Sequence, residues 1–221
     1  MKKNIAILLV LNILTIFLSI FLSIFLSACN SKEKLPILGY KETKTQWKDG
    51  KEQIDTIYHT IPAFSFVNQD NKTVTEADFK DKIYVVDFFF TSCPTICPKM
   101  KQQLLRVYEK FEKQDNILIL SHSIDTKNDT VAILKDYASR LKVKSPKWQF
   151  VTGKKEDIYK MAQQYLAAAQ EDKEADGGYT HSGYLALIDS QKRIRGLYDG
   201  TKPESVDKLL LDIEKLSAEI K

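Results

Sequence analysis

Cys93 and Cys97 stand in the run Thr91-Ser92-Cys93-Pro94-Thr95-Ile96-Cys97-Pro98, three residues between the thiols and a proline behind each. Two soft sulfurs at that spacing can close a disulfide or hold a thiophilic metal ion such as Cu(I). A staple alone is a poor use of the pair, because prolines behind both thiols shape a site more than a bridge. Pro98 suits the first position of a helix and pushes Cys97 out of the helical region, so Cys97 is expected at the cap itself, and Pro94 constrains Cys93 in the same way. A thiol at a helix N-terminus sees the positive end of the dipole, so at least one of these sulfurs is expected to be thiolate-rich near neutral pH.

The elements that must position the pair follow from hydrophobic periodicity. Ile83 to Phe90 is a continuous apolar, aromatic and β-branched run broken only by Asp87, the pattern of a strand buried on both faces. A helix is expected from Pro98 to about Phe111, with Met100, Leu104, Leu105, Tyr108 and Phe111 along one side. Ile117 to Ile124 reads as a second buried strand, and Thr130 to Leu141 as a helix that Asp129 can cap. Residues 63 to 75 alternate around a polar tip and suggest a short hairpin. Trp148 to Val151 is a short strand, Lys155 to Ala169 a helix, and Glu171 to Tyr179 an acidic loop. Tyr184 to Ile188 and Arg193 to Leu197 form a hairpin, and Glu204 to Ile220 a closing helix after Pro203. Strand-helix-strand units demand a parallel centre to the sheet, and the hairpin an antiparallel edge. Together they predict an α/β domain of thioredoxin-like fold, a central mixed sheet flanked by helices with an N-terminal β-hairpin extension.

In that topology the loop before Tyr184 faces the helix end that bears the cysteines. His181 lies in this loop and can supply a third ligand, and a set of two thiolates and one imidazole fits low-coordinate Cu(I). The other histidines read differently. His59, at the entrance to the domain, is expected to face solvent, and His122, inside a strand, to be a hydrogen-bonded core residue. Asp125 and Asp129 could hold the loop near the site. Asp87 is open to two readings, a buried carboxylate that takes a thiol proton or a solvated acid at a strand edge.

The third cysteine has a separate explanation. Met1-Lys2-Lys3 precedes an apolar run from Ile5 to Leu26, followed by Ser27-Ala28-Cys29, the basic, apolar, small-residue and cysteine order of a bacterial lipoprotein signal. Residues 1–28 are therefore expected to be a signal peptide and Cys29 the lipidated first residue; an uncleaved anchor of the same run would also just span a bilayer. Either way the remainder sits outside the cytoplasm, in the cell envelope, tied to a membrane. Residues 29–58 read as a polar tether and 59–221 as one domain of ordinary size. The formal charge of +4 falls to +2 without Lys2 and Lys3, and the lysines are interspersed with acids, so nothing calls for nucleic acid.

The sequence resembles the Sco/SenC family of copper chaperones. Thr91 to Pro98 is similar to that family's Thr-x-Cys-Pro-x-x-Cys-Pro signature, Ile124 to Thr130 to its Asp-Pro-x-x-Asp-Thr segment, and Val151-Thr152-Gly153 to its Thr-Gly strand ending. His181-Ser182 followed by Leu187-Ile188-Asp189 resembles its His-Ser and strand motif. The likeness runs from about Ile61 to Leu216. Thr126 departs from the family's proline, and Thr180 stands where an aspartate commonly precedes the histidine, which puts a carboxylate partner for His181 in question. The resemblance implies copper on Cys93, Cys97 and His181. It also implies delivery to the CuA site of the copper-bearing subunit of cytochrome c oxidase, or reduction of that site's cysteines, with a thiol reductant as a further partner.

The principal rival is a thiol-disulfide oxidoreductase of the envelope without a required metal, with Cys93 and Cys97 as its redox pair. Asp87 sits six residues before Cys93, as a buried acid does in thioredoxin. Against it, the chain has no proline between Pro146 and Pro203, where thioredoxin-type reductases place one before the strand facing the site. A peroxiredoxin-like peroxidase is excluded by Phe90 and Pro94, which occupy the positions where its activating threonine would stand.

Overall fold

The computed structural model describes residues 34–219, and its elements belong to the unit Leu35–Lys221. The expected signal peptide and Cys29 lie outside the described residues.

The main sheet is built on three parallel strands, β5 (Ile83–Phe89), β6 (Ile117–Ser123) and β7 (Trp148–Thr152), each an apolar run buried almost throughout. Register is set by Ile83 opposite Ile117 and Ile119 opposite Trp148. On one side of this centre β10 (Tyr184–Ile188) pairs antiparallel with β5, and β11 (Ile194–Asp199) with β10. On the other side the hairpin of β3 (Ser65–Asn68) and β4 (Thr73–Thr75) joins antiparallel to β7, giving seven strands in all. The thioredoxin-like layout expected from the element order is the one found, with antiparallel pairs at both edges.

Helix α1 (Ile96–Phe111) follows β5, α2 (Val131–Arg140) follows β6, α3 (Lys155–Gln164) follows β7, and α4 (Pro203–Glu219) closes the domain. Along α1 the buried Met100, Leu104, Val107, Tyr108 and Phe111 recur every three or four residues, so burial of one stripe defines the helix. Helices α1 and α2 cover the sheet face that carries Asp87, Phe89 and Phe150: Lys101 reaches Asp87, and the Tyr137 ring lies against Phe89 and Phe150. Tyr165 and Phe79 cover the opposite face, over Phe88, His122 and Tyr84.

Several local expectations are corrected. Helix α1 starts at Ile96, two residues before Pro98, so Thr95 is the cap and Cys97 lies within the first turn. The cap of α2 is Thr130, whose hydroxyl accepts from the Ile133 N–H, because the Asp129 carboxylate is engaged elsewhere. Helix α3 stops at Gln164, before Leu166 turns to a φ of 57°, and the chain continues into β8 (Ala169–Glu171), which pairs with β9 (Tyr179–His181) across the acidic segment read as a loop. Within the segment expected as a tether, β1 (Lys41–Lys48) and β2 (Lys51–Tyr58) form a hairpin of their own. His59 is buried, not solvent-facing: its Nε2–H donates to the Gln164 carbonyl at the end of α3, 2.8 Å away, satisfying a terminal carbonyl that the helix leaves open. His122 is a core residue as expected, but among the described residues neither ring nitrogen has a hydrogen-bond partner. Its ring stacks on Phe88 at 4.8 Å and meets the edge of Phe66 at 5.5 Å. Burial drives its pKa down to about 3, with the neighbouring Asp87 backbone offsetting only a little, so the ring is neutral.

Candidate metal centre

The strand β5 ends at Phe89, and the next six residues carry the chain over the sheet edge into α1. The bend is held from below. Asp129, buried to 1% exposure, accepts from the Thr91 N–H at 3.0 Å and from the hydroxyls of Thr91 and Ser123, so one carboxylate fixes the approach to Cys93. The Phe90 carbonyl accepts from the Cys93 N–H at 3.3 Å. The sulfurs come to rest with Cys93 8% and Cys97 2% exposed, both as free thiols.

The histidine loop is fastened independently. Ala169 faces His181 across the β8–β9 pairing, the Ser182 N–H donates to the Ala168 carbonyl at 2.9 Å, and the Tyr179 hydroxyl donates to Asp125 at 2.9 Å. The ring of Phe90 packs against Tyr179 and meets His181 edge to face, with centroids 6.0 Å apart. Gly177, at φ 82°, lets the backbone pass over that ring; a Cβ there would lie 2.7 Å from the Phe90 ring.

These two fastenings bring together the three residues singled out in the sequence. The Sγ atoms of Cys93 and Cys97 and a ring nitrogen of His181 all lie within 4.8 Å of one another. Cys97 Sγ is 3.2 Å from His181 Nε2, and His181 Nδ1 is 3.1 Å from the Ser182 carbonyl oxygen. A carbonyl can only accept, so Nδ1 carries the proton and Nε2 presents its lone pair to Cys97. The backbone carbonyl thus does the orienting that no carboxylate at position 180 could do here, since that residue is Thr180.

The local electrostatics divide the thiols. Burial alone would raise the Cys93 pKa, but the backbone N–H groups of Cys97 and Thr95, aided by the Cys97 and Thr95 side chains, outweigh it and hold it below the ordinary thiol value. Burial pushes the Cys97 thiol well up, so it keeps its proton and donates it to His181. Burial lowers His181 below the usual imidazole value, keeping the ring neutral and able to act as a donor atom for a metal. Of the two sulfurs only Cys93 is shifted toward the thiolate, the direction expected. An open cleft of about 200 Å³ adjoins the triad, lined by Phe90, Cys93, Thr95, Ile96, Tyr179 and His181.

Asp125 and Asp129 both hold loops at the site, as supposed. Asp87 is neither a solvated edge acid nor a free proton acceptor: it is fully buried and paired with Lys101, with Ser121 also donating to it. Lys101 was not singled out in the sequence, since a helical lysine ordinarily faces water. The signal for it was present, because an acid in the middle of a doubly buried strand must either stay protonated or find a buried partner.

A family model described as SCO1/SenC matches residues 52–218. The chain is similar to the crystal structure of a SCO1/SenC family lipoprotein from Bacillus anthracis, at 27% identity and a TM-score of 0.65, with 72% of this chain and 95% of that one covered. It is similar to BsSco, described as a member of the Sco family of cytochrome c oxidase assembly proteins with a disulfide switch, at 27% identity and a TM-score of 0.62, covering 72% and 94%. It is also similar to the copper-bound structure of ScoI from Arabidopsis thaliana, at 26% identity and a TM-score of 0.60, covering 71% and 98%.

Proposed function

The chain belongs to the SCO1/SenC family, and from that premise we propose that it is a membrane-anchored copper carrier of the cell envelope. It holds Cu(I) on Cys93, Cys97 and His181 and passes it to the CuA site of a cytochrome c oxidase subunit facing the same compartment. The observation that carries this reading is the convergence of two thiols and an imidazole lone pair within 4.8 Å. Such a soft, low-coordinate donor set suits Cu(I), and loading it displaces the proton that Cys97 otherwise holds. Three protein donors leave a coordination position into which a recipient's thiolate or imidazole can enter, so the ion can be handed on. The copper-bound plant relative and the oxidase-assembly description of BsSco support the cargo and the recipient.

The same dithiol can prepare the recipient. The Cys93 thiolate attacks a disulfide sulfur of the recipient, the other recipient sulfur leaves as a thiol, and Cys97 then resolves the mixed disulfide. The recipient gains both electrons, the Cys93–Cys97 disulfide remains, and an external thiol reductant resets it. The lowered pKa of Cys93 favours this second role.

Anchoring rests on residues 1–28 as signal and Cys29 as the lipidated residue. The lipoprotein relative supports it. Cys29→Ser should accumulate as an unprocessed precursor; normal processing would refute the assignment.

Copper content after anaerobic reconstitution tests the carrier. One Cu(I) per chain is expected in the wild type, with tight binding abolished by loss of either thiol and weakened by His181→Ala without unfolding. In cells, loss of the protein should lower oxidase activity, added copper should restore it, and His181→Ala should fail to complement. Full complementation by His181→Ala, with rescue by small thiols and not by copper, would leave only the reductase.

A further inference from the structure

Among the described residues, strands β1 and β2 form a two-stranded sheet that pairs with no other strand. Its turn is tight: Asp49 and Gly50 both take positive φ, 53° and 72°, the two-residue Asp-Gly turn whose twist matches a hairpin. Its root is fixed, the His59 N–H donating to the Tyr40 carbonyl at 3.0 Å while the His59 ring is buried against the end of α3. The register runs from Lys41 opposite Tyr58 to Lys48 opposite Lys51.

Because facing residues share a side and alternate along each strand, the register sorts the side chains. One side carries Trp47, Ile54 and Tyr58 with Thr43, Thr45 and Thr56, and also Glu52 opposite Trp47 and Lys41 opposite Tyr58. The other carries Lys44, Lys48, Lys51, Glu42 and Asp55 with two glutamines and Ile57. The first side is β-branched and apolar at its centre, with one charged residue facing each aromatic at its two ends, yet Trp47 is 75% and Ile54 65% exposed. An isolated hairpin is at best marginal in water, and this one displays its largest apolar residues to solvent.

What lies on that face is indicated by the chain in front of it. The apolar run ends at Leu26, and five residues separate Cys29 from Leu35, six steps with a reach of about 20 Å fully extended. Leu35 is already fastened to the domain, its carbonyl accepting from Arg195 at 2.6 Å. An eight-residue strand extends about 27 Å, so a hairpin rooted a few residues from so short a tether can reach the surface in which the tether ends. Tryptophan and tyrosine favour the boundary between headgroups and acyl chains. We propose that the β1–β2 hairpin lies with its Trp47, Ile54 and Tyr58 face in the interface of the bilayer that anchors the chain. Four lysines and four acids on residues 41–58 cancel, so apolar insertion and not charge holds it. This rests on the reading of residues 1–29 as a membrane anchor.

The full chain in liposomes carrying acyl chains brominated near the headgroup tests the inference. The two tryptophans separate cleanly, since Trp148 is fully buried in the core. Trp47 emission should be quenched and blue-shifted, equally in zwitterionic and anionic vesicles and at low and high salt, while Trp148 emission in Trp47→Phe is unchanged. Ile54→Glu should still float with the vesicles but lose the Trp47 quenching, which mere proximity on a tether would leave intact. A wild-type chain that floats with Trp47 unquenched and water-exposed overturns the inference and spares the anchor. A chain that does not float overturns the anchor and the inference with it.

Discussion

Lys101 Nζ lies 2.6 Å from Asp87 Oδ2 with both side chains almost wholly out of water, 3% and 0% exposed. Lys101 is four residues after Cys97, one turn along α1, and its Nζ also sits 4.0 Å from the centre of the Phe89 ring. A charge pair in this position is sustained by each partner's presence, since an isolated buried charge is far more costly than a neutral pair of the same volume.

Lys101→Met should therefore destabilise the domain by about 3–5 kcal/mol, the usual cost of stranding one member of a buried pair. Asp87→Leu combined with Lys101→Met should recover most of that loss. Urea midpoints of the four members of the cycle measure it, and a single variant as stable as the wild type would show the pair to be inert.

His122 gives the domain an acid-sensitive core. Its pKa is about 3 in the folded chain against an ordinary value near 6.5, so the unfolded chain takes up the proton first as pH falls. Stability contributed by the neutral ring is whole above about pH 6.5 and declines by about 1.4 kcal/mol per pH unit between there and about pH 3. His122→Phe, which keeps a flat ring among Phe64, Phe66 and Phe88, should flatten that slope. Stability measured from pH 7 to pH 4.5 in both proteins decides it, and identical slopes would assign the acid sensitivity elsewhere.

The two thiols should react at different rates. Cys93 is more exposed and held below the ordinary thiol pKa, whereas Cys97 is buried and protonated against His181. In the reduced, metal-free protein near pH 7, iodoacetamide should modify Cys93 at least tenfold faster than Cys97, read by peptide mass in Cys97→Ser and Cys93→Ser. Equal rates would remove the division of labour between attacking and resolving sulfur.

How far the site could be read from the sequence depends on which interactions are local. The cysteines, the buried strand before them and the histidine before β10 announce themselves by type, spacing and periodicity, and the fold brings them together. Helix α1 begins at Ile96 and not Pro98 because proline is acceptable throughout a first turn, so its presence marks a beginning only to within a residue or two. Asp129 reads from the sequence both as the α2 cap, a partner adjacent in the chain, and as a brace of the loop near the site; the second holds, through Thr91, 38 residues away, and Ser123. His59 and Lys101 were misjudged or passed over because the Gln164 carbonyl and the Asp87 carboxylate that bury them are distant in the chain. The β1–β2 hairpin is polar and exposed along much of its length, and carries no burial signal that a periodicity argument could use.

One hydrogen bond spans the two halves of the site's support. The Tyr179 hydroxyl donates to Asp125 Oδ1 at 2.9 Å, fastening the strand that carries His181 to the loop after β6, while the Asn128 side chain holds the same carboxylate from the other side. Tyr179→Phe removes that one donor and leaves the ring against Phe90, so the fold should lose no more than about 1.5 kcal/mol. The effect on the site should be larger in proportion, because His181 Nε2 must stay within reach of Cys97 for three donors to act on one ion. Copper affinity should fall by up to about tenfold, the equivalent of 1.4 kcal/mol, with the metal stoichiometry unchanged. The same substitution made in His181→Ala should have no further effect on affinity, since there is then no imidazole left to position. Competition titration with a Cu(I) chelator across the four proteins reads this directly, and additive losses would show that Tyr179 acts on binding by a route that does not pass through His181.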